Sequence, residues 1–137
     1  MTQTLRILHV EDDLSILEIT KISLSLSDRI KLFQFSSPAK ALEFAASEKV
    51  DAFLLDVAMP EMNGGILLQK LRELEGFETT PAIFMTAHAQ HEDIVRLEAL
   101  GANSVITKPF DPVTLAEKVL RIFERLTQNN PPERMPR

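Results

Sequence analysis

Short apolar runs alternate with amphipathic ones along this chain. Leu5 to Val10, Ile30 to Phe35, Ala52 to Leu55, Ala82 to Met85 and Ser104 to Thr107 are mostly apolar nearly throughout. Runs of that length without polar alternation predict strands covered on both faces, as in a parallel sheet. Helical patterns fill the intervals. Ser37-Pro38 predicts an N-cap followed by proline at the first helical position, and Asp111-Pro112 repeats the arrangement before the last helix. In that helix Leu115, Val119, Ile122, Phe123 and Leu126 recur at spacings of four, three, one and three, a stripe for packing onto a sheet. A first helix is expected from about Leu14 through Leu26, although Ile22, Leu24 and Leu26 alternate with Lys21, Ser23 and Ser25 in a way that also suits a strand. Leu67, Leu71 and Leu74 mark a third helix; Ile94, Leu97 and Leu100 mark a fourth that stops at Gly101, where a left-handed cap is easy. These leucine-rich stripes are expected to be core.

Five β/α repeats result. Right-handed crossovers with helices on both faces make a doubly wound three-layer α/β sandwich, whose ligand site lies beyond the carboxyl ends of the strands. At 137 residues the chain makes one domain, expected over 1–127, with 128–137 a disordered tail or cut linker because Asn129-Asn130-Pro131-Pro132 and Pro136 carry no apolar period. Fifteen basic against twenty acidic residues give 15 − 20 = −5, with both signs scattered, which argues against a direct nucleic-acid partner. There are no cysteines, which removes disulfide and thiol chemistry. Apolar runs stay below about ten residues, and an acidic cluster stands where a signal peptide needs an apolar stretch, so a cytoplasmic protein without a membrane span is expected.

The chemistry gathers at the predicted strand ends. Asp56 closes the run Val50-Asp51-Ala52-Phe53-Leu54-Leu55 and precedes Met59-Pro60-Glu61-Met62-Asn63-Gly64, through which no strand continues. The first strand ends in Glu11-Asp12-Asp13, the fourth in Thr86 and the fifth in Lys108-Pro109. Four acids, a hydroxyl and an ammonium thus map to one edge of one sheet, and crowded carboxylates need a cation or a proton. The constellation suits phosphoryl transfer to a carboxylate. A magnesium ion on oxygen ligands would neutralise the acids, Asp56 would be the nucleophile forming an acyl phosphate, and Lys108 and Thr86 would each hold a phosphoryl oxygen.

On Glu11-Asp12, Asp56 in Asp-x-x-Met-Pro-x-Met-x-Gly, Thr86-Ala87 and Lys108-Pro109-Phe110, the chain resembles the receiver domain of bacterial two-component response regulators, from Leu5 to Leu126. The resemblance implies a flavodoxin-like sheet of order 2-1-3-4-5. It also implies that Asp12 and Asp56 ligate Mg2+ with the backbone carbonyl of Ala58, that Glu11 acts through water, and that Lys108-Pro109 is a cis peptide. A histidine kinase or histidine phosphotransfer protein would donate the phosphoryl group, and the domain would catalyse its own phosphorylation and dephosphorylation without a separate enzymatic domain. An unknown downstream protein would read the change. One departure stands out: Val105 occupies a position where many members carry tyrosine or phenylalanine. Valine has no ring to swing, so transmission is expected to rest on Thr86 and the loop after it, or to leave by a surface other than the last helix.

Other readings compete. A degenerate receiver serving only as a docking module would lack the acid pair, threonine and lysine. A phosphohydrolase of the haloacid dehalogenase kind would need a second aspartate two residues after the nucleophile, where Ala58 stands. Asp13 reads as the cap of the first helix, and His9 as a hydrogen-bonded sheet residue. His88 and His91 have a spacing that binds metal on a helix, but no third ligand is near in sequence. His88, two residues after Thr86, is expected to tune how long a phosphoryl group survives, and change on phosphorylation is expected first from Thr86 to Gly101. Gly64-Gly65 reads as a turn. No basic helix-turn-helix or catalytic pattern follows Leu126, so the chain acts either as a stand-alone receiver or as a piece of a longer kinase or regulator.

Overall fold

A computed structural model describes residues 4–88 and 90–129. Strands β1 (Leu5–Val10), β2 (Ile30–Phe35), β3 (Ala52–Asp56), β4 (Ala82–Thr86) and β5 (Ser104–Thr107) alternate with helices α1 (Leu14–Leu24), α2 (Pro38–Ser47), α3 (Gly64–Arg72), α4 (His91–Ala99) and α5 (Leu115–Asn129). The strands form one sheet in the order β2-β1-β3-β4-β5, parallel at every pairing.

Period-two alternation sends successive side chains of each strand to opposite faces, and both faces are covered. Leu5, Ile7, Leu54, Ile83, Met85 and Ile106 meet Leu24 of α1 and Leu115, Val119 and Ile122 of α5. Leu8, Val10, Phe53, Leu55 and Phe84 meet Ala41 and Ala45 of α2, Leu67, Leu68 and Leu71 of α3, and Leu97 of α4. β3 and β4 are buried at every position, which is why their sequences read as unbroken apolar runs.

Several boundaries differ from the sequence expectation. Ser37 caps α2 by accepting from Lys40 N at 3.3 Å, but Asp111-Pro112 opens a turn, and α5 begins at Leu115. The Asp111 carboxylate accepts from Val113 N at 2.9 Å and its carbonyl from Thr114 N at 3.2 Å, so the cap is spent on that turn. α1 stops at Leu24 because the Ser25 hydroxyl donates back to Ile22 O at 2.8 Å and tight turns follow, Leu26 N to Ser23 O and Ser27 N to Leu24 O, both at 3.2 Å. Leu26 is therefore 65% exposed, and Ile22 and Leu100 are also exposed. The leucine stripes are not wholly core. Leu74 lies past the end of α3 yet still packs on the core. Gly101 follows α4 with φ +112, the left-handed cap expected of it. α5 continues through Asn129, and the proposed tail beyond it lies outside the described residues.

Candidate functional site

Strand register brings the acids together. Val10 pairs with Leu55 and Asp56 with Met85, so Glu11-Asp12, Asp56 and Thr86 emerge side by side at the carboxyl edge, and Lys108 follows β5 there. Oxygens of Glu11, Asp12 and Asp56 all lie within 4.8 Å of one another. Glu11 and Asp56 are buried while Asp12 is exposed to solvent. Lys108 reaches across the sheet, its Nζ 2.8 Å from Asp56 Oδ1 and 3.3 Å from Glu11 Oε1. The Lys108-Pro109 bond is cis.

One ammonium stands among three carboxylates, and the imbalance shows at Glu11. Burial, then the Asp56 charge, push the Glu11 carboxyl from 4.5 up to about 7. Burial opposes the charge on Lys108, but the hydrogen bond and attraction of Asp56, followed by those of Glu11, outweigh it and hold the ammonium above its ordinary pKa. Clustered carboxylate oxygens, one of them open to solvent and one reluctant to ionise unaided, fit a hard divalent cation such as magnesium.

The loops are set by local chemistry. Asp13 caps α1, its Oδ1 accepting from Ser15 N at 2.8 Å and Ile16 N at 3.2 Å, and its own N–H donates to Glu11 Oε2 at 3.2 Å. The cap thereby orients the acid beside it. Ala58 lies exposed two residues beyond Asp56, lining a cleft with Val57, Asn63, Thr86 and His88. Gly64-Gly65 is not a free turn: Asn63 caps α3 by accepting from Ile66 N at 2.9 Å, and the two glycines open the helix. Gly64 N donates to Val57 O at 2.8 Å, and a Cβ on Gly64 would collide with the backbone carbonyl of Asp56. This positioning role escaped the sequence reading, because only tertiary contact reveals the close approach.

Thr86 is turned toward its own loop. Its Oγ1 accepts from His88 N at 3.0 Å and donates to His88 O at 3.3 Å. His88 lies in the loop ahead of α4 and His91 is the first residue of that helix, so the two do not sit one turn apart on a single helix, and neither joins the acidic group. His9 is fully buried in β1, its Nδ1 3.0 Å from Gln34 Nε2, and burial, then the Lys108 charge, push its pKa down to about 3. It is a neutral sheet residue. Val105 is half-buried on β5 and packs against the α2/α3 side of the core.

Comparisons with known proteins agree with this architecture. Residues 7–120 match the model of the response regulator receiver domain. The chain is 35% identical over 128 residues to an uncharacterized 14.6 kDa protein in the sodA1 3′ region of Leptolyngbya boryana, covering 93% of each. It is 31% identical over 123 residues to the transcriptional regulatory protein YvrH of Bacillus subtilis, covering 90% of this chain and 51% of that one. It thus spans about half the length of such regulators. Among solved structures it resembles the chemotaxis response regulator CheY4 of Vibrio cholerae, with 26% identity, a TM-score of 0.80, and 88% and 99% of the two chains covered. A match that spans most of the chain, on a sheet of the order that the resemblance implied, establishes that the protein belongs to the response regulator receiver domain family.

Proposed function

We propose that the chain is a phosphorylation-switched signalling receiver that accepts a phosphoryl group on Asp56 and signals through altered protein contacts. The observation that carries this reading is the 2.8 Å contact of Lys108 Nζ with Asp56 Oδ1, in a carboxylate group shared with Glu11 and Asp12. Lys108 holds Oδ1, and among the described residues no protein group donates to Oδ2, which is left open to attack phosphorus. In the transfer a P–N bond to the donor histidine breaks as a P–O bond to Asp56 forms, and the histidine leaves as neutral imidazole once its nitrogen is protonated. Hydrolysis later returns the carboxylate and inorganic phosphate. Positioning and charge neutralisation do most of the work in such transfers. Lys108 would follow the charge onto a phosphoryl oxygen, and the Thr86 hydroxyl would leave His88 to hold another. Magnesium, held by Asp12, Asp56 and the Ala58 carbonyl with Glu11 acting through water, would offset the acids and the incoming phosphoryl charge.

A protein phosphodonor, a histidine kinase or histidine phosphotransfer protein, is supported by the apolar rim beside the acids. Ile16, Ile19, Ala87, Pro109 and Phe110 line a depression of about 490 Å3 that includes Lys108, and Leu14, two residues before Ile16 on α1, is 70% exposed. No helix among the described residues is long and apolar enough to cross a membrane, in keeping with a cytoplasmic role. Incubation with magnesium and phosphoramidate should add one base-labile phosphoryl mass to the intact protein and none to Asp56→Asn. Label on any other residue, or no label with bound magnesium, would refute the reading.

A further inference from the structure

α4 is weakly anchored along its length. Of its nine residues only Leu97 is buried, and Val95 and Leu100 are about half exposed. A short helix with so little of its surface packed depends on how its ends are held. Ahead of it stand the Thr86–His88 hydrogen bonds and a capping box between Gln90 and Asp93. Past its carboxyl end stands a different device. Arg72, the last residue of α3, donates from Nη1 to Thr80 O at 2.8 Å, Glu78 O at 3.2 Å and Phe77 O at 3.5 Å. From Nη2 it donates to Gly101 O at 3.4 Å and Asn103 Oδ1 at 3.5 Å.

Asn103 extends the grip into the sheet. Its Oδ1 accepts from Ala82 N and its own N–H donates to Ala82 O, both at 2.8 Å. One guanidinium therefore joins the end of α3, the α3–β4 loop, the α4–β5 loop and the start of β4. Its partners are neutral carbonyls, and among the described residues no carboxylate pairs with it. Five donors in a rigid plane can serve two loops at once, which a lysine ammonium cannot do. Among the described residues the amino-terminal end is held only by short-range contacts, the Thr86–His88 bonds and the Gln90–Asp93 cap, and Thr86 is one of the groups that phosphoryl binding would draw away.

We propose that Arg72 is the fixed pivot of α4, pinning its carboxyl end through Gly101 and Asn103 so that rearrangement of the helix is confined to its amino-terminal half. Only the trigger rests on the phosphorylation reading; the pivot is present in the unmodified protein. Amide exchange on the full chain tests it directly. Ala102 and Asn103 should exchange about tenfold more slowly than Ile94 and Val95, and Arg72→Met should bring the two sets within about twofold while β1 and β3 keep their protection. Arg72→Lys, the milder change should the methionine variant not fold, should also narrow the gap. Equal exchange of the two sets in the wild type, or an unaltered ratio in the variants, would overturn the pivot. With magnesium and beryllofluoride, amide shifts should concentrate at 86–96 and leave Ala102 and Asn103 in place; shifts as large at 102–103 would also overturn it. No shift anywhere would instead sink the phosphorylation reading, while the exchange ratios still decide the pivot.

Discussion

Replacing Glu11 with glutamine should stabilise the metal-free protein at mildly alkaline pH and destabilise it in acid. Glu11 is 1% exposed, and its carboxyl is raised from 4.5 to about 7 by burial and then by Asp56. A carboxyl whose pKa is raised on folding holds its proton more tightly in the folded state. Between 4.5 and about 7 the folded chain therefore binds more protons than the unfolded one, so stability falls as pH rises through that window. At about 1.4 kcal/mol per tenfold change, the gap costs the ionised protein about 3 kcal/mol above that window. Glutamine avoids the cost but offers one acceptor where Glu11 serves both Asp13 N and Lys108 Nζ, a loss of about 1 kcal/mol. Glu11→Gln should thus gain about 2 kcal/mol at about pH 8 and lose about 1 kcal/mol at about pH 4, with the two proteins nearly equal at about pH 5. Urea unfolding of both proteins in chelator, followed by far-ultraviolet circular dichroism because the chain has no tryptophan, measures the difference. Saturating magnesium should reverse the alkaline advantage, since ligand that binds only the folded state stabilises it and the wild type should bind more tightly. Wild-type stability that is flat or rising across that window in chelator, or an equal loss in Glu11→Gln at about pH 4 and about pH 8, would refute the argument.

Lys108→Met should leave Asp56 and Glu11 buried without their ammonium and cost about 3 kcal/mol in chelator at about pH 8, with a smaller cost in acid; a pH-independent loss measured by the same unfolding assay would count against the charge explanation. Gly64→Ala should displace the Asp56 backbone that the new Cβ meets, slowing phosphorylation by phosphoramidate more than Gly65→Ala, whose Cβ meets the movable Leu100 side chain first; equal rates in both would contradict the close approach. Asp13→Ala should remove the α1 cap at a cost of about 1 kcal/mol, seen as a lower thermal midpoint. His88→Ala should change the lifetime of the aspartyl phosphate while keeping the backbone contacts of Thr86, and an unchanged dephosphorylation rate would dismiss a side-chain role.

β3 and β4 were legible because burial on both faces of a parallel sheet forces unbroken apolar runs, and β1, β2 and β5 because enough apolar residues remain around Arg6, Lys31, Gln34 and Ser104 to mark a strand. Asp56, Glu11-Asp12, Thr86 and Lys108 were legible because they stand directly at the ends of those runs. Helix ends were less so. Asp111-Pro112 has the local signature of a helix start, yet the side chain caps a turn instead, and Ile22, Leu26 and Leu100 look like core leucines and isoleucines but stay exposed. Periodicity reports which residues could be buried; what packs over them is settled by neighbours distant in the chain.

The amino-acid sequence alone determined the alternation of elements, and with it the edge at which Glu11, Asp12, Asp56, Thr86 and Lys108 stand, because hydrophobic period and turn chemistry are local. Only the tertiary structure decided that Lys108 lies within 2.8 Å of Asp56, that Gly64 must lack a side chain, and that Arg72 ties two loops to the foot of α4. Each of these depends on strand register and loop closure between residues far apart along the chain, and such distances are fixed by packing rather than by any local pattern.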